Sequence, residues 1–273
     1  MDHDRAAVAP RRGFGLAATL PPATIGALAR AAQAAGYDSF WVNDGPGGEG
    51  LAALEVAAGE TDAIDLCVGV IPLDRRAPED IAERIAELGL PVHRLAVGIG
   101  AGAGPGGVDR VRDGVHRLRD LTSARVVVGA LGPRISRVAA EVADGLLIDW
   151  PVPAHARVVA GQVARAAAAA GVPRPPVLGY VFTGIGATAR RRLRAEADHY
   201  GAIPAYAAHF ARMGVAADDA HVHGDTAARV RHRLTAFGAA LDETVVRATV
   251  GDDTPAAYLE VLSAAAPAPP HPA

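Results

Sequence analysis

Lysine is absent from this chain of 273 residues, and all 27 basic side chains are arginine. That absence removes chemistries built on a primary amine. Schiff-base catalysis, pyridoxal-phosphate enzymes and the P-loop with its phosphate-gripping lysine are excluded together. Cysteine is nearly absent too. Cys67 is the one thiol, so no intrachain disulfide can form, and a reduced, cytoplasmic setting is the simplest reading. Cys67 sits in an apolar run and is expected to be a small core residue. Excess charge is also missing: the net charge is −3, with acids and bases interleaved. No basic stripe marks a nucleic-acid partner. No run reaches the roughly 18 apolar residues needed to cross a bilayer, so no membrane partner is expected. The start, RRGFGLAATLPP, mimics a twin-arginine export signal, but Pro21-Pro22 cuts its apolar run short.

What the chain does have is hydrophobic content of 50%, enough for one large core. Apolar or β-branched runs ending in turn-forming residues predict strands at 13–20, 39–44, 64–73, 94–100, 124–130, 145–150, 176–183 and 244–251. Helical stretches separate them. Several open on proline at the first turn, as at Pro78, Pro133 and Pro153. Strands such as RVVVGAL and GLLIDW are apolar at nearly every position, as parallel strands buried on both faces must be. Strand and helix alternate eight times, which predicts an α/β fold, a (β/α)8 TIM barrel. A helical insertion of about 187–243 falls between strands 7 and 8. The expected organisation is an N-terminal arm (1–12), a single barrel domain (13–264) and a loose Pro-rich tail (265–273).

The stretch RLAVGIGAGAGPGG tests this reading. Gly98-Ile99-Gly100-Ala101-Gly102-Ala103 satisfies a dinucleotide-binding pattern. A Rossmann fingerprint, however, belongs to the first strand–helix turn and needs an acid at the end of the next strand. This loop follows the fourth strand, and the next strand ends in apolar residues and glycine. In a barrel, active sites lie at the C-terminal strand ends. Glycine there lets a flat ligand approach the backbone. Four such ends stand out: Asn43-Asp44, Val70-Ile71-Pro72, Gly98–Gly104 and Ala130–Arg134.

Taken in order, these segments resemble the luciferase-like monooxygenase superfamily, a family of flavin- and deazaflavin-dependent barrels. The resemblance runs over AAGYDSFWVND (34–44), LCVGVIPLDRRAPEDIAERI (66–85), RLAVGIGAG (94–102), GALGPRISRVAAEVADGLLIDW (129–150) and AIPAYAAHFARMG (202–214). It implies coenzyme F420 or FMN as cofactor, a small-molecule substrate, and a homodimer as one open assembly. It places the phosphate at Ala130, Leu131, Gly132 and Arg134. There a helix N-terminus offers free N–H groups and Arg134 adds positive charge. A rival cup is Thr183–Gly186. The cofactor ring is expected against Val70, Ile71, Gly100, Ala101, Gly102 and Trp150. A non-prolyl cis peptide is implied near Gly69-Val70-Ile71.

Asn43 could hydrogen-bond a flavin edge and Asp44 could relay a proton, so both are candidate catalytic residues. Tyr206 and His209 are candidates for the substrate pocket. Asp149 is a mouth acid or an ion-pair partner. His221 and His223 lack a third ligand, and no metal is expected. Three readings stay open: a hydride-transferring or monooxygenating enzyme, a flavin-binding paralogue without turnover, and an acid–base isomerase or lyase.

Overall fold

The computed structural model describes residues 10–45 and 47–267. Most of the expected N-terminal arm (1–9) and tail (268–273) lie outside the described residues. Arg11 and Arg12, expected in the arm, open the first strand, and Ala265, expected in the tail, closes the last helix.

The chain alternates β1 (Arg11–Ala17), α1 (Pro22–Ala34), β2 (Ser39–Asn43), α2 (Gly50–Glu60), β3 (Asp65–Pro72), α3 (Pro78–Glu87), β4 (Leu95–Gly100) and α4 (Gly107–Leu121). It continues through β5 (Arg125–Ala130), α5 (Pro133–Val142), β6 (Gly145–Asp149), α6 (Pro153–Ala170) and β7 (Val177–Ile185). The insertion follows, with α7 (Gly186–Gly201), α8 (Pro204–Met213), β8 (Val222–Gly224) and α9 (Ala227–Gly238). β9 (Glu243–Ala248) and α10 (Pro255–Ala265) complete the chain. Proline opens α1, α3, α5, α6, α8 and α10. Its fixed φ suits the first helical turn, where its missing N–H costs nothing.

Strands β1 to β7 pair in parallel, each with the next, and β9 bridges β7 to β1. Eight strands therefore close into a (β/α)8 barrel, as the sequence predicts. β8 is an addition that the sequence pattern missed. Its three residues, VHG, extend the sheet beside the end of β7. Three residues are too few to show a period of two.

That period organises the barrel. One set of side chains points inward, and Trp41, Cys67, Ala96, Val127, Leu147, Leu178, Tyr180 and Val245 form the interior cluster. The alternate set, such as Phe40, Val42, Leu66 and Val128, packs outward against the helices in the main core. The lower end is closed by polar partners. Ser39 Oγ and Trp41 Nε1 donate to the buried Glu243 carboxylate at 2.5 and 3.0 Å, and Arg11 Nε lies 3.4 Å from it. Burial raises the Glu243 pKa, while Ser39, Arg11 and Trp41 pull it down. The upper end opens into the site. Among the described residues, no helix is long and apolar enough to cross a membrane.

Candidate active site at the barrel mouth

Advancing two residues from the inward cluster leads to the C-terminal strand ends. There a cavity of about 530 Å³ opens, within the size range of small-molecule and cofactor sites. It has two unlike walls. The first comes from the ends of β2 to β5 and contains Asn43, Asp44, Gly69, Val70, Ala101, Gly102, Ala130, Leu131 and Gly132. The second comes from β6, β7, β9 and the insertion, with Asp149, Tyr180, Phe182, Arg247, Tyr200 and Tyr206.

The first wall is small, apolar and closely fitted. The Gly69–Val70 peptide is cis, at the position implied by the family resemblance, and the register between β3 and β4 shifts between Val68 and Ile71. Val70 faces inward and takes the space left by its glycine neighbours. A Cβ on Gly100 would stand 2.9 Å from Val70 Cγ2, and one on Gly129 would stand 2.8 Å from Val70 Cγ1. Gly100 itself does not line the cavity. Its bareness makes room for Val70 rather than for a ligand. Ile71 is fully buried on the helix side, in the main core.

Asn43 and Asp44 are adjacent but differ in their partners. Among the described residues, Asn43 Oδ1 is buried without a hydrogen-bond partner. Asp44 has both oxygens engaged: Oδ1 accepts from the Gly50 amide at 2.9 Å and Oδ2 from Arg75 Nη2 at 2.7 Å. Those bonds tie the β2–α2 loop to the β3–α3 turn. Arg76 is likewise engaged, with Glu49.

At the fifth strand exit, Gly132 is the N-cap of α5 and no side chain caps it. The first N–H groups of a helix lack internal partners. This end therefore presents bare amides beside Leu131 and Gly132 in the cavity wall. Arg134 sits exposed on the first turn, outside the lining. Arg212, which sequence reasoning did not single out, reaches this exit from α8. Its Nη2 donates to the Leu131 carbonyl at 2.7 Å and would lie 3.7 Å from a Cβ on Gly132. The rival cup at Thr183–Gly186 adjoins a groove lined by Asp252 and Glu260, which disfavours an anion.

The second wall is aromatic and polar. Tyr206 Oη donates to Asp149 Oδ2 at 2.8 Å, and the Trp150 amide donates to Oδ1 at 3.0 Å. Burial pushes the Asp149 pKa up to about 6, against the pull of Tyr206, the Trp150 amide and the Arg247 charge. Burial also raises the Tyr206 and Tyr180 phenols, so both keep their protons. Tyr180 Oη has no hydrogen-bond partner among the described residues. Arg247 lies over the Phe182 ring, 5.7 Å from its centroid. Trp150 does not line the cavity. It stacks behind Phe182 with ring centroids 4.0 Å apart, fully buried and at φ 48°. His209 is also buried, outside the lining. Its Nδ1 lies 3.0 Å from the Leu131 carbonyl and its Nε2 3.0 Å from the Asp149 carbonyl. It braces the inserted helix α8 across two strand ends. His223 Nε2 contacts the Gly186 carbonyl at 2.9 Å.

The period of two could have found the second wall. Asp149 follows Leu147 by two residues, as Phe182 follows Tyr180 and Arg247 follows Val245, along strands whose earlier inward residues fill the barrel. Tyr200 and Arg212 come from the insertion and carried no comparable signal.

Residues 6–121 match the family described as luciferase-like monooxygenase. That stretch resembles the luciferase-like family. No curated protein matches it in sequence. Solved structures share this barrel fold over nearly the whole chain. The coenzyme F420 dependent tetrahydromethanopterin reductase from Methanopyrus kandleri has 18% identity and a TM-score of 0.76, over 93% of this chain and 98% of that one. An F420-dependent secondary alcohol dehydrogenase has 16% identity and a TM-score of 0.76, over 94% and 99%. The oxygenating constituent of 3,6-diketocamphane monooxygenase from Pseudomonas putida, in complex with FMN, has 14% identity and a TM-score of 0.70, over 94% and 97%. The structural neighbours of this barrel thus include an F420-dependent reductase, an F420-dependent dehydrogenase and an FMN-bound monooxygenase.

Proposed function

We propose that the protein is an oxidoreductase that binds deazaflavin coenzyme F420 at the barrel mouth and transfers hydride to or from a small organic substrate. The observation that carries this reading is the first wall. It joins an uncapped helix N-terminus, at Gly132, to an apolar strip ending at an unpartnered buried amide oxygen on Asn43. Bare amides suit a phosphate, an apolar strip suits a flat ring, and a lone acceptor suits a ring N–H. The residues present therefore fit a flavin-type group. Leu131, Gly132, Arg134 and Arg212 would hold its phosphate, and Val70, Ala101 and Asn43 would meet its ring. Bound there, a deazaflavin supplies two-electron hydride chemistry that no side chain possesses. The chain's own task is to bind, orient and exclude water. The F420-dependent neighbours support the choice of cofactor.

FMN-dependent monooxygenation is the second reading, supported by the FMN-bound neighbour of the same fold. A fluorescence titration separates the two. Quenching of F420 with saturable affinity, and none of FMN, is the expected result. FMN binding alone moves the function to monooxygenation. Binding of neither at about 0.1 mM, equivalent to about 5.5 kcal/mol, rejects both.

A further inference from the structure

Seven polar or titratable side chains line the cavity: Asn43, Asp44, Asp149, Tyr180, Tyr200, Tyr206 and Arg247. Asn43 does not titrate, and arginine keeps its charge. Asp44 is held as the partner of a charge, paired with Arg75 at 2.7 Å while its other oxygen accepts from the Gly50 amide. Burial keeps the three phenols protonated. Asp149 is left. It forms no ion pair among the described residues. Its surroundings are Tyr206 and His209 from α8, Tyr200 from α7, Tyr180 from β7 and Arg247 from β9. The rings of Tyr206, Tyr200 and Phe182, each in edge contact with the next, line the same cavity as its carboxyl.

We propose that Asp149 is the catalytic acid and base of this cavity, exchanging a proton with the oxygen of an alcohol or carbonyl substrate, and that Tyr206 is its positioning residue. The proposal rests on the hydride-transfer reading above. In the oxidative direction the alcohol O–H bond breaks and its proton goes to the Asp149 carboxylate. The hydride of the adjacent C–H leaves to the oxidised deazaflavin, so a carbonyl and a protonated Asp149 remain. Reduction runs the same exchange backwards, with the Asp149 proton returned to the new alkoxide oxygen. A carboxyl that titrates about one unit below neutrality can act in both directions.

Two measurements test this. Infrared titration of the cofactor-free protein follows the C=O stretch of protonated carboxyls between pH 4 and 8. The expected wild-type signal has a midpoint near 6, is missing in Asp149→Asn, and shifts upward in Tyr206→Phe, which lacks the phenol that favours the carboxylate. A midpoint near 4 overturns the proposal. Single-turnover hydride transfer from a panel of small alcohols to F420 is the second measurement. Asp149→Asn is expected to lose about 100-fold or more while F420 affinity stays within about threefold. An undiminished rate overturns the proposal. If the wild type binds F420 yet oxidises no alcohol and reduces no carbonyl, the substrate class falls and the cofactor reading stands. If it binds no F420, that reading falls and takes the redox step with it, while a midpoint near 6 still supports Asp149 as the proton-exchanging group.

Discussion

The two walls of the cavity are built from the same repeating unit, yet they do opposite things with polarity. Along β2 to β5 the inward positions at the mouth are glycine, alanine and Val70, and polarity is supplied by backbone amides at Gly132 and by Asn43. Along β6, β7 and β9 they are Asp149, Phe182 and Arg247, overlain by Tyr200 and Tyr206 from the insertion. A backbone donor is fixed in place and cannot titrate. A buried carboxyl is movable in charge and costly to ionise. The contrast assigns binding to the first wall and proton exchange to the second. The stretch with the family match ends at residue 121, so it takes in the first wall from Asn43 to Gly102 but not its Ala130–Gly132 exit. The aromatic wall lies beyond it.

Perturbing one wall should leave the other's task intact. The largest effect is expected for Trp150→Ala, which empties the space behind Phe182 and should cost about 3–5 kcal/mol in chemical denaturation. A loss below about 1 kcal/mol would mean that Trp150 does not brace the second wall. Next is Gly132→Asp. An aspartate at this extended N-cap should hold or raise the melting temperature, since it caps α5. Its charge should nevertheless weaken phosphate binding about 100-fold, or about 3 kcal/mol.

A third effect comes from pH. The Asp149 pKa is pushed from 3.8 to about 6 on folding, so the native state binds more protons than the unfolded state between those values. Stability must then fall as pH rises through that window. Asp149→Asn should remove up to about 3 kcal/mol of that decline, measured by urea unfolding at pH 4 and pH 7 against the wild type. An unaltered pH profile would show that Asp149 ionises freely. The smallest effect is expected for Asp44→Asn. Losing its bond to the partly exposed Arg75 should lower stability by about 1 kcal/mol or less and change F420 affinity less than threefold. A tenfold loss would return Asp44 to the site chemistry.

Much of this was legible in the sequence for physical reasons. Parallel strands buried on both faces read as unbroken apolar runs, and prolines marked the helix starts, so the barrel and its mouth followed. Asn43, Asp44, Val70, Ala101, Gly102, Ala130, Leu131, Gly132 and Tyr206 were placed at the mouth by strand ends and family resemblance, and all nine line the cavity. Ile71, Gly100, Arg134, Trp150 and His209 do not. In each case the sequence fixes the neighbourhood but not the direction. The register shift in β3 turns Ile71 outward, and Val70 fills the face of Gly100. Trp150 follows the inward Asp149 and so turns away, to stack behind Phe182. Arg247 and Tyr180 went unnoticed because a charged or phenolic residue in an apolar strand gives no sign of its depth until the registers of all eight strands are joined.

The division of labour is tested most directly by F420 fluorescence titration of Gly132→Asp and Asp149→Asn beside the wild type. The account predicts that Gly132→Asp loses about 100-fold in affinity while Asp149→Asn stays within about threefold. Wild-type affinity in Gly132→Asp, or an equal loss in Asp149→Asn, would contradict it.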